Sequence, residues 1–562
     1  MERIWQQQYP NGIATEIEKP EHSSLTHLYK DSCEKYNSKV AFSCLNTSLS
    51  YAELYMYSSR FASYLQHKLQ LTPGDKIGIM LPNLLQHPIV MFGSLQAGLT
   101  IVNINPLEKS EILAHELSDS DCKAIVVLEN FAAELEKALP KTKIEHVIIA
   151  KIGDLFSFPK NIIANFTMRY IKLAVKKHHV KFPIALSEII YNSDLAAVES
   201  SMTDINSIAY IQYTSGTTAK PKGVILTHAN ILANISQARS WISSDMKDAN
   251  EIIITALPLY HIFSLTANCW VYFSKGANNF LIPNPRDIKG FIKQIKSLKF
   301  TAITGVNTLF HGLLSHREFS NVDFSKLKIT LGGGMAVNKT IAQSWSSVTN
   351  CHITQAYGLT ETSPAATINP IDLEFNGSIG LPLPSTDICI KDQEGNEVEF
   401  GAHGEICIKG PQVTSGYWRN EAATKAAIKH GYLHTGDIGY MDKHGFIYIV
   451  DRLKDMIIVS GFNVPAIEVE DCILQLEQVL EVAVVGSEDE HQGESIVAHI
   501  VLKPKTKLTE SEIISYCHKK IAAYKVPHYV VLELELPKNN LGKIMKRKLR
   551  DKNSTNLHGA HK

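Results

Sequence analysis

The sequence predicts an α/β fold. A large N-terminal domain of layered, mostly parallel sheets carries a small β-rich subdomain and is followed by a small α+β C-terminal domain. Three observations predict it. At 562 residues the chain is too long for one hydrophobic core. Over roughly the first 350 residues, short apolar runs alternate with helical stretches, the mark of βα units and a parallel sheet. Beyond that the strands shorten and alternate apolar with polar, and after Asp455 the pattern changes once more.

Lys76–Pro82 reads as a strand, Leu84–Ala97 as a helix and Ile101–Asn105 as a strand. The longest largely apolar stretch, Pro88–Ile104, is interrupted by Ser94, Gln96 and two glycines. It is too short and too broken to span a bilayer and suits a buried helix followed by a buried strand. Lys123–Leu128 and His146–Ala150 are further buried strands. Ile208–Tyr213 leads through a loop of small residues to a helix over Ala229–Ala238. Between about Gly377 and Tyr448, DICIKD, GEICIKG and FIYIVD form the β-rich subdomain. Glu468–Gln475 (helix), Glu481–Gly486 and Ser495–Leu502 (strands) and Thr509–Ile521 (helix) complete the chain, a normal size for one domain. The expected division is 1–451 for the N-terminal domain, a boundary at 452–455 and 456–562 for the C-terminal domain.

Composition narrows the function classes. Hydrophobic residues are 44% and charged residues 20%, a globular balance. Lys+Arg and Asp+Glu are equal at 56 each, so no net charge asks for nucleic acid. Nine scattered cysteines with no CxxC argue against a zinc site and read as reduced thiols. The opening MERIWQQQYPNG lacks the basic-then-apolar pattern of a signal peptide, so a cytoplasmic location is expected.

Four segments look like chemistry. Tyr213–Gly223 (YTSGTTAKPKG) offers hydroxyls, glycines and lysines for a polyphosphate, and is not a Walker A loop; a polar surface hairpin is the plain alternative. Gln355–Glu361 (QAYGLTE) places a carboxylate beside a threonine after a glycine turn, hard oxygen ligands for Mg²⁺. His434–Asp437 (HTGD) with Asp451-Arg452 presents a turn carboxylate that can accept ribose hydroxyls, although loop aspartates commonly only form turns. Pro537–Lys543 (PKNNLGK) sets a lysine on a glycine turn, where it can reach an α-phosphate or simply lie on a solvated basic face.

In order and spacing, TSGTT with KPKG, ALPLYH (Ala256–His261), GGG (Gly332–Gly334), YGLTE, GEICIKG, TGD, DRLKD and NNLGK resemble the adenylate-forming (AMP-binding) superfamily over essentially the whole chain. LPLYHIFSLT, NPRDIKGF, TAITGVNTLF, GSIGLPLPST and DMIIVSGFNV are most similar to the bacterial long-chain fatty-acid–CoA ligases. The resemblance implies an AMP-forming acid–thiol ligase. It would activate a fatty acid as acyl-AMP with release of pyrophosphate and pass the acyl group to coenzyme A. The alternatives are an acyl-AMP ligase loading a carrier protein and a weakened paralogue that only binds nucleotide or lipid.

By the same resemblance, Thr214, Ser215, Gly216, Thr217, Thr218 and Lys222 would grip the β- and γ-phosphates of ATP. Gly332, Gly333, Gly334 and Tyr357 would flank the adenine, and Thr360 would touch the α-phosphate. Glu361 and Thr214 would hold Mg²⁺, Asp437 and Arg452 the ribose. His261 would lie near the attacking carboxylate, and Lys543 would bridge it to the α-phosphate. Lys454 would be the hinge, and Ser460, Gly461 and Phe462 would meet coenzyme A. The acyl chain would run along Leu257–Leu265 and Thr304–Leu314, stretches that equally suit plain core packing. Two departures stand out. Ala219 occupies a position where the family usually has glycine, and Pro465-Ala466-Ile467 shifts a proline ahead of Glu468 and Glu470. An alanine forced to positive φ would cost about 1 kcal/mol or more.

Asn161–Lys177 is expected to be one amphipathic helix, with Arg169, Lys172 and Lys176 on one stripe and Ile162, Phe166, Tyr170 and Ala174 on another. It is either a packed helix with a solvated basic edge or a peripheral contact with the inner face of a membrane. Oligomeric state is left open.

Overall fold

In the computed structural model the described residues are 3–199, 203–214, 220–242, 246–335, 337–460, 462–489, 493–539 and 542–556. They fall into two compact units, one of residues 5–387 and 408–433, the other of 1–4, 388–407 and 434–562. The expected 451/452 boundary lies within the second unit.

The first unit holds two large sheets. In the seven-stranded one, Ile184–Ala185, His146–Ala150, Cys122–Leu128, Lys76–Met80, Thr100–Asn103 and Ile208–Thr214 run side by side, with Lys222–Thr227 at the edge. All these pairings are parallel except the last. The apolar stretch over Pro88–Ile104 is, as expected, a helix (Gln86–Gln96) and a strand (Thr100–Asn103), and every residue of both is buried. With both faces covered, such segments have no polar side to show.

The nine-stranded sheet contains, in neighbouring positions, Ile353–Gly358, Ile329–Gly332, Ala302–Gly305, Ile252–Thr255, Asn278–Leu281 and Val40–Cys44, all parallel. Leu257, Val306, Leu309, Phe310 and Leu313 belong to a single buried cluster beside this sheet with Phe291 and Trp345. These five of the residues expected along an acyl chain are thus packed in the core beside this sheet.

In the second unit, Asp437–Met441 and Ile447–Arg452 pair antiparallel, as the period-two pattern predicts. The C-terminal sheet is built on Val479–Asp489 paired antiparallel with Gly493–Leu502, with Tyr529–Glu533 added in parallel. The helices Ala466–Leu474 and Glu510–His518 bury Val469, Ile473 and Ile513 against it. All nine cysteines are buried and free of disulfides.

Candidate active site

Parallel strands point the same way, so the loops that leave their carboxyl ends share one edge of the sheet, where open α/β sheets place ligands. Ile252–Thr255 leads to His261, Ala302–Gly305 ends in a glycine, Ile329–Gly332 continues into Gly333 and Gly334, and Ile353–Gly358 carries Tyr357 and leads to Thr360 and Glu361. The expected adenine and carboxylate residues and Glu361 therefore come to one edge, while Thr214 ends a strand of the seven-stranded sheet. The glycines are sterically required. A Cβ on Gly332 would stand 2.8 Å from both the Ile353 and Val337 side chains, and Gly334 has φ +77°. At Gly358 a Cβ would lie 1.8 Å from the Pro364 carbonyl oxygen. Gly358→Ala should therefore lose about 3 kcal/mol or more of stability in a denaturant titration and forfeit nucleotide binding by calorimetry.

His261 donates its backbone N–H to the Pro258 carbonyl at 3.0 Å and precedes a π-helical turn, Ser264–Trp270. Such turns re-aim the side chains around them. Phe263 packs 3.1 Å from where a Gly333 Cβ would stand, so the His261 segment and the glycine turn are fitted together.

The phosphate loop corrects the sequence expectation. It joins two antiparallel strands, with Thr214 directly opposite Lys222, and the helix starts only at His228. Val224 and Leu226 are fully buried on one face, and this period-two burial makes a strand of the stretch assigned to the loop. The strands that flank the loop pair as a hairpin with a buried face, which leaves the loop's chemistry open. Ser215, Gly216, Thr217, Thr218 and Ala219 lie outside the described residues.

Tyr417, not singled out in the sequence, ties this hairpin to Glu361. The Lys222 ammonium sits 5.3 Å from the Tyr417 ring centre, and the Tyr417 hydroxyl donates to Glu361 Oε1 at 2.8 Å. The Glu361 carbonyl accepts from Thr414 N–H at 2.8 Å. Burial, then the neighbouring Glu361 charge, push the Tyr417 phenol far above its ordinary pKa, so it stays a donor. No local signal marks Tyr417, because its partners are 56 and 195 residues away. Carboxylate and hydroxyl oxygens at Glu361 and Thr214 are the hard donor set that Mg²⁺ prefers.

The second unit brings together another group. Asp437 and Arg452 face each other across paired strands, with Asp437 buried and its Oδ1 2.9 Å from Arg452 Nε. Asp437 lies inside the strand Tyr432–Met441 and not on the expected turn; Glu405, on the neighbouring strand, holds this stretch by accepting from the Gly436 N–H at 2.9 Å and pairing with His434 Nδ1 at 2.7 Å. Glu405 is the second residue missed; its role shows only when neighbouring strands are paired. Lys543 stands on a turn closed by Asn539, whose Oδ1 accepts the Lys543 N–H at 2.9 Å, after Gly542 at φ +80°. Desolvation, then the positive charge of Arg452, lower the Lys543 pKa to about 8 against the pull of Asp437. Asp437, Arg452, Lys454 and Lys543 thus form one electrostatic cluster.

Lys454 lies in a turn in which Asp455 and Met456 both donate to the Arg452 carbonyl. Ser460, with φ +50°, and the exposed Phe462 flank the tip of the hairpin joining Ile457–Val459 to Phe462–Val464; Gly461 is outside the described residues. Pro465 occupies the N-cap of the helix Ala466–Leu474 at φ −65°, and the Asp451 carboxylate accepts from the Ala466 and Ile467 N–H groups. The proline shift therefore makes a regular, capped helix start.

Two family models match: AMP-binding enzyme over residues 29–418 and AMP-binding enzyme C-terminal domain over 468–543. The chain is 44% identical to a long-chain-fatty-acid–CoA ligase of Escherichia coli over 98% of both chains. It is 34% identical to one of Bacillus subtilis over 99% of both. Among solved structures, o-succinylbenzoate CoA synthetase of Bacillus subtilis with its acyl-adenylate intermediate aligns with a TM-score of 0.77 at 26% identity, covering 93% of this chain and 98% of that one. The anthranilate CoA ligase AuaEII, at 22% identity and TM-score 0.84 over 96% and 99%, shares the fold. The chain belongs to the AMP-binding enzyme family, the adenylate-forming enzymes.

Proposed function

We propose that the protein is an AMP-forming long-chain fatty acid–CoA ligase. The observation that carries the chemistry is the Lys543 ammonium, desolvated and gathered with the Asp437–Arg452 pair, in a chain whose other clustered groups suit ATP phosphates and a hard cation. Relatives of 34–44% identity over nearly the full length supply the acid and the thiol.

A free carboxylate is a poor acyl donor because its leaving group would be oxide. In the first step a carboxylate oxygen of the fatty acid attacks the α-phosphorus in line, the bond to the β-phosphate oxygen breaks, and pyrophosphate leaves with the electron pair. Lys543 steadies the negative charge that builds between the carboxylate and the α-phosphate. Thr214, Lys222 and the hydroxyls of the 214–218 loop hold the departing pyrophosphate, and Thr360 meets the α-phosphate. Asp437 accepts the ribose hydroxyls while Arg452 orients it, Tyr357 and Gly332–Gly334 flank the adenine, and His261 lines the carboxylate's approach. Mg²⁺, held by Glu361 with Thr214, would neutralise charge on the phosphate oxygens. In the second step the coenzyme A thiolate attacks the acyl carbonyl carbon and AMP departs. We assign the changeover between steps to a turn about Lys454, within hinge 452–455, which withdraws Lys543 and offers Ser460, Gly461 and Phe462 to coenzyme A. The capped helix start at Pro465 supports an intact thiol-transfer half. The proposed setting is the cytoplasm, with peripheral contact on the inner membrane face.

Incubation with ATP, Mg²⁺ and a panel of fatty acids, with and without coenzyme A, should give acyl-CoA, AMP and pyrophosphate by mass spectrometry. Acyl-AMP that persists despite coenzyme A would overturn the thioester half, and absence of pyrophosphate with every acid would overturn the ligase assignment.

A further inference from the structure

The stretch expected to be one amphipathic helix is shorter, and its apolar side chains are exposed. Regular helix covers Lys160–Phe166, a π turn continues it over Thr167–Ile171, and the chain then leaves helical form, so Lys176 is not on a common helical stripe with Lys172. Arg169 is not on a free basic edge either, because it pairs with Glu129.

No residue from Lys160 to Ile171 is buried. The helix is fastened by its polar side. Asn165 Oδ1 accepts from the Gly153 N–H at 2.9 Å, and Arg169, one turn on, holds Glu129. Beyond the helix the backbone is tied by Asn130 Nδ2 to the Ala174 carbonyl at 3.2 Å and by the His179 N–H to Glu136 Oε2 at 3.0 Å. The apolar side chains point outward. Phe182 is 93% exposed, Phe158 79% and Leu173 74%, and Ile162, Phe166 and Tyr170 are each more than half exposed. A core-packed helix shows the reverse arrangement, and exposed apolar side chains gathered along one short segment mark a surface that something else covers.

Charge identifies what covers it. Between Asp154 and Glu188 the sequence has no acidic residue and six basic ones: Lys160, Arg169, Lys172, Lys176, Lys177 and Lys181. All six are exposed, Arg169 with its guanidinium paired to Glu129, in a chain whose total charge is zero. Exposed aromatic and branched side chains interleaved with lysines fit the boundary between headgroups and acyl chains of an anionic bilayer, the apolar groups entering and the ammonium groups staying among the phosphates. Among the described residues no helix is long and apolar enough to cross a membrane, so the contact is a surface one.

We propose that residues 158–182 form a membrane-docking face for anionic lipid, seating the enzyme where fatty acids partition. This rests on the peripheral-contact reading above and gives it a location. The test is flotation of the full chain with vesicles of phosphatidylcholine alone, or with a quarter phosphatidylglycerol. The protein should float with the anionic vesicles, and high salt should release much of it. Phe166→Ser with Ile171→Ser, and separately Lys172→Glu with Lys177→Glu, should each lower the bound fraction about tenfold or more, since all four side chains are exposed. Acyl-CoA formation from fatty acid delivered on albumin should stay at the parent rate in both variants. Variants that float like the parent, or a bound fraction indifferent to lipid charge, would overturn the proposal. So would a lipid-free dimer by light scattering that these substitutions dissolve, because the face would then belong to a second copy. Failure of the parent chain to float while acyl-CoA is still formed would remove the docking face alone and leave the ligase standing.

Discussion

Lys543→Gln should lower the rate of acyl-AMP formation by roughly a hundred- to a thousandfold, the range for removing one donor aimed at developing transition-state charge. It should leave the reaction of supplied acyl-AMP with coenzyme A near the parent rate, because Lys543 is assigned to the first step only. The pH dependence separates this role from a structural one. The Lys543 pKa is lowered to about 8, chiefly by desolvation and secondarily by Arg452. The ammonium form is therefore the major one below that pH and is lost as pH rises through it. Single-turnover acyl-AMP formation should be flat on the acid side of about 8 and fall roughly tenfold per unit above it. Lys543→Arg, slower through altered geometry, should remove the alkaline limb, since a guanidinium does not titrate in this range. A limb that persists in the arginine variant would assign the titration to another group.

The second large effect belongs to Glu361. Glu361→Gln keeps an acceptor for Tyr417 and removes the negative charge, so it tests the metal role while sparing the hydrogen bond. Adenylate formation should fall roughly a hundredfold or more, and the Mg²⁺ concentration for half-maximal rate should rise. Tyr417→Phe does the reverse: it keeps the charge and removes the donor. It should lose about tenfold, in line with about 1.5 kcal/mol for a hydrogen bond to a charged group, with Mg²⁺ dependence little changed. Equal losses in the two variants at unaltered Mg²⁺ dependence would make Glu361 a brace for the Lys222 hairpin instead of a cation ligand.

How far the sequence reached differs from segment to segment. His146–Ala150 was legible to the residue, because a strand buried on both faces writes an unbroken apolar run. The Lys222–Thr227 strand was not, because a threonine- and lysine-rich approach masks the period-two burial of Val224 and Leu226. Asp437 and Arg452 were both visible as motif residues, yet only strand pairing makes them directly opposed partners. Tyr417 and Glu405 were missed for a shared reason: each acts by touching a group far off in the chain or on a neighbouring strand.

The sequence by itself determined the α/β class, the order of the motifs and the family, because these depend on local periodicity and on residue types at fixed spacing. Only the tertiary structure decided which groups meet. The alignment of parallel strand ends puts His261, Gly332–Gly334, Tyr357 and Glu361 on one edge, and desolvation beside Arg452 lowers the Lys543 pKa. It also decided which side of the Lys160–Ile171 segment faces out. An amphipathic pattern states that two faces differ, while the anchors Asn165 and Arg169 choose which of them is left in contact with the surroundings.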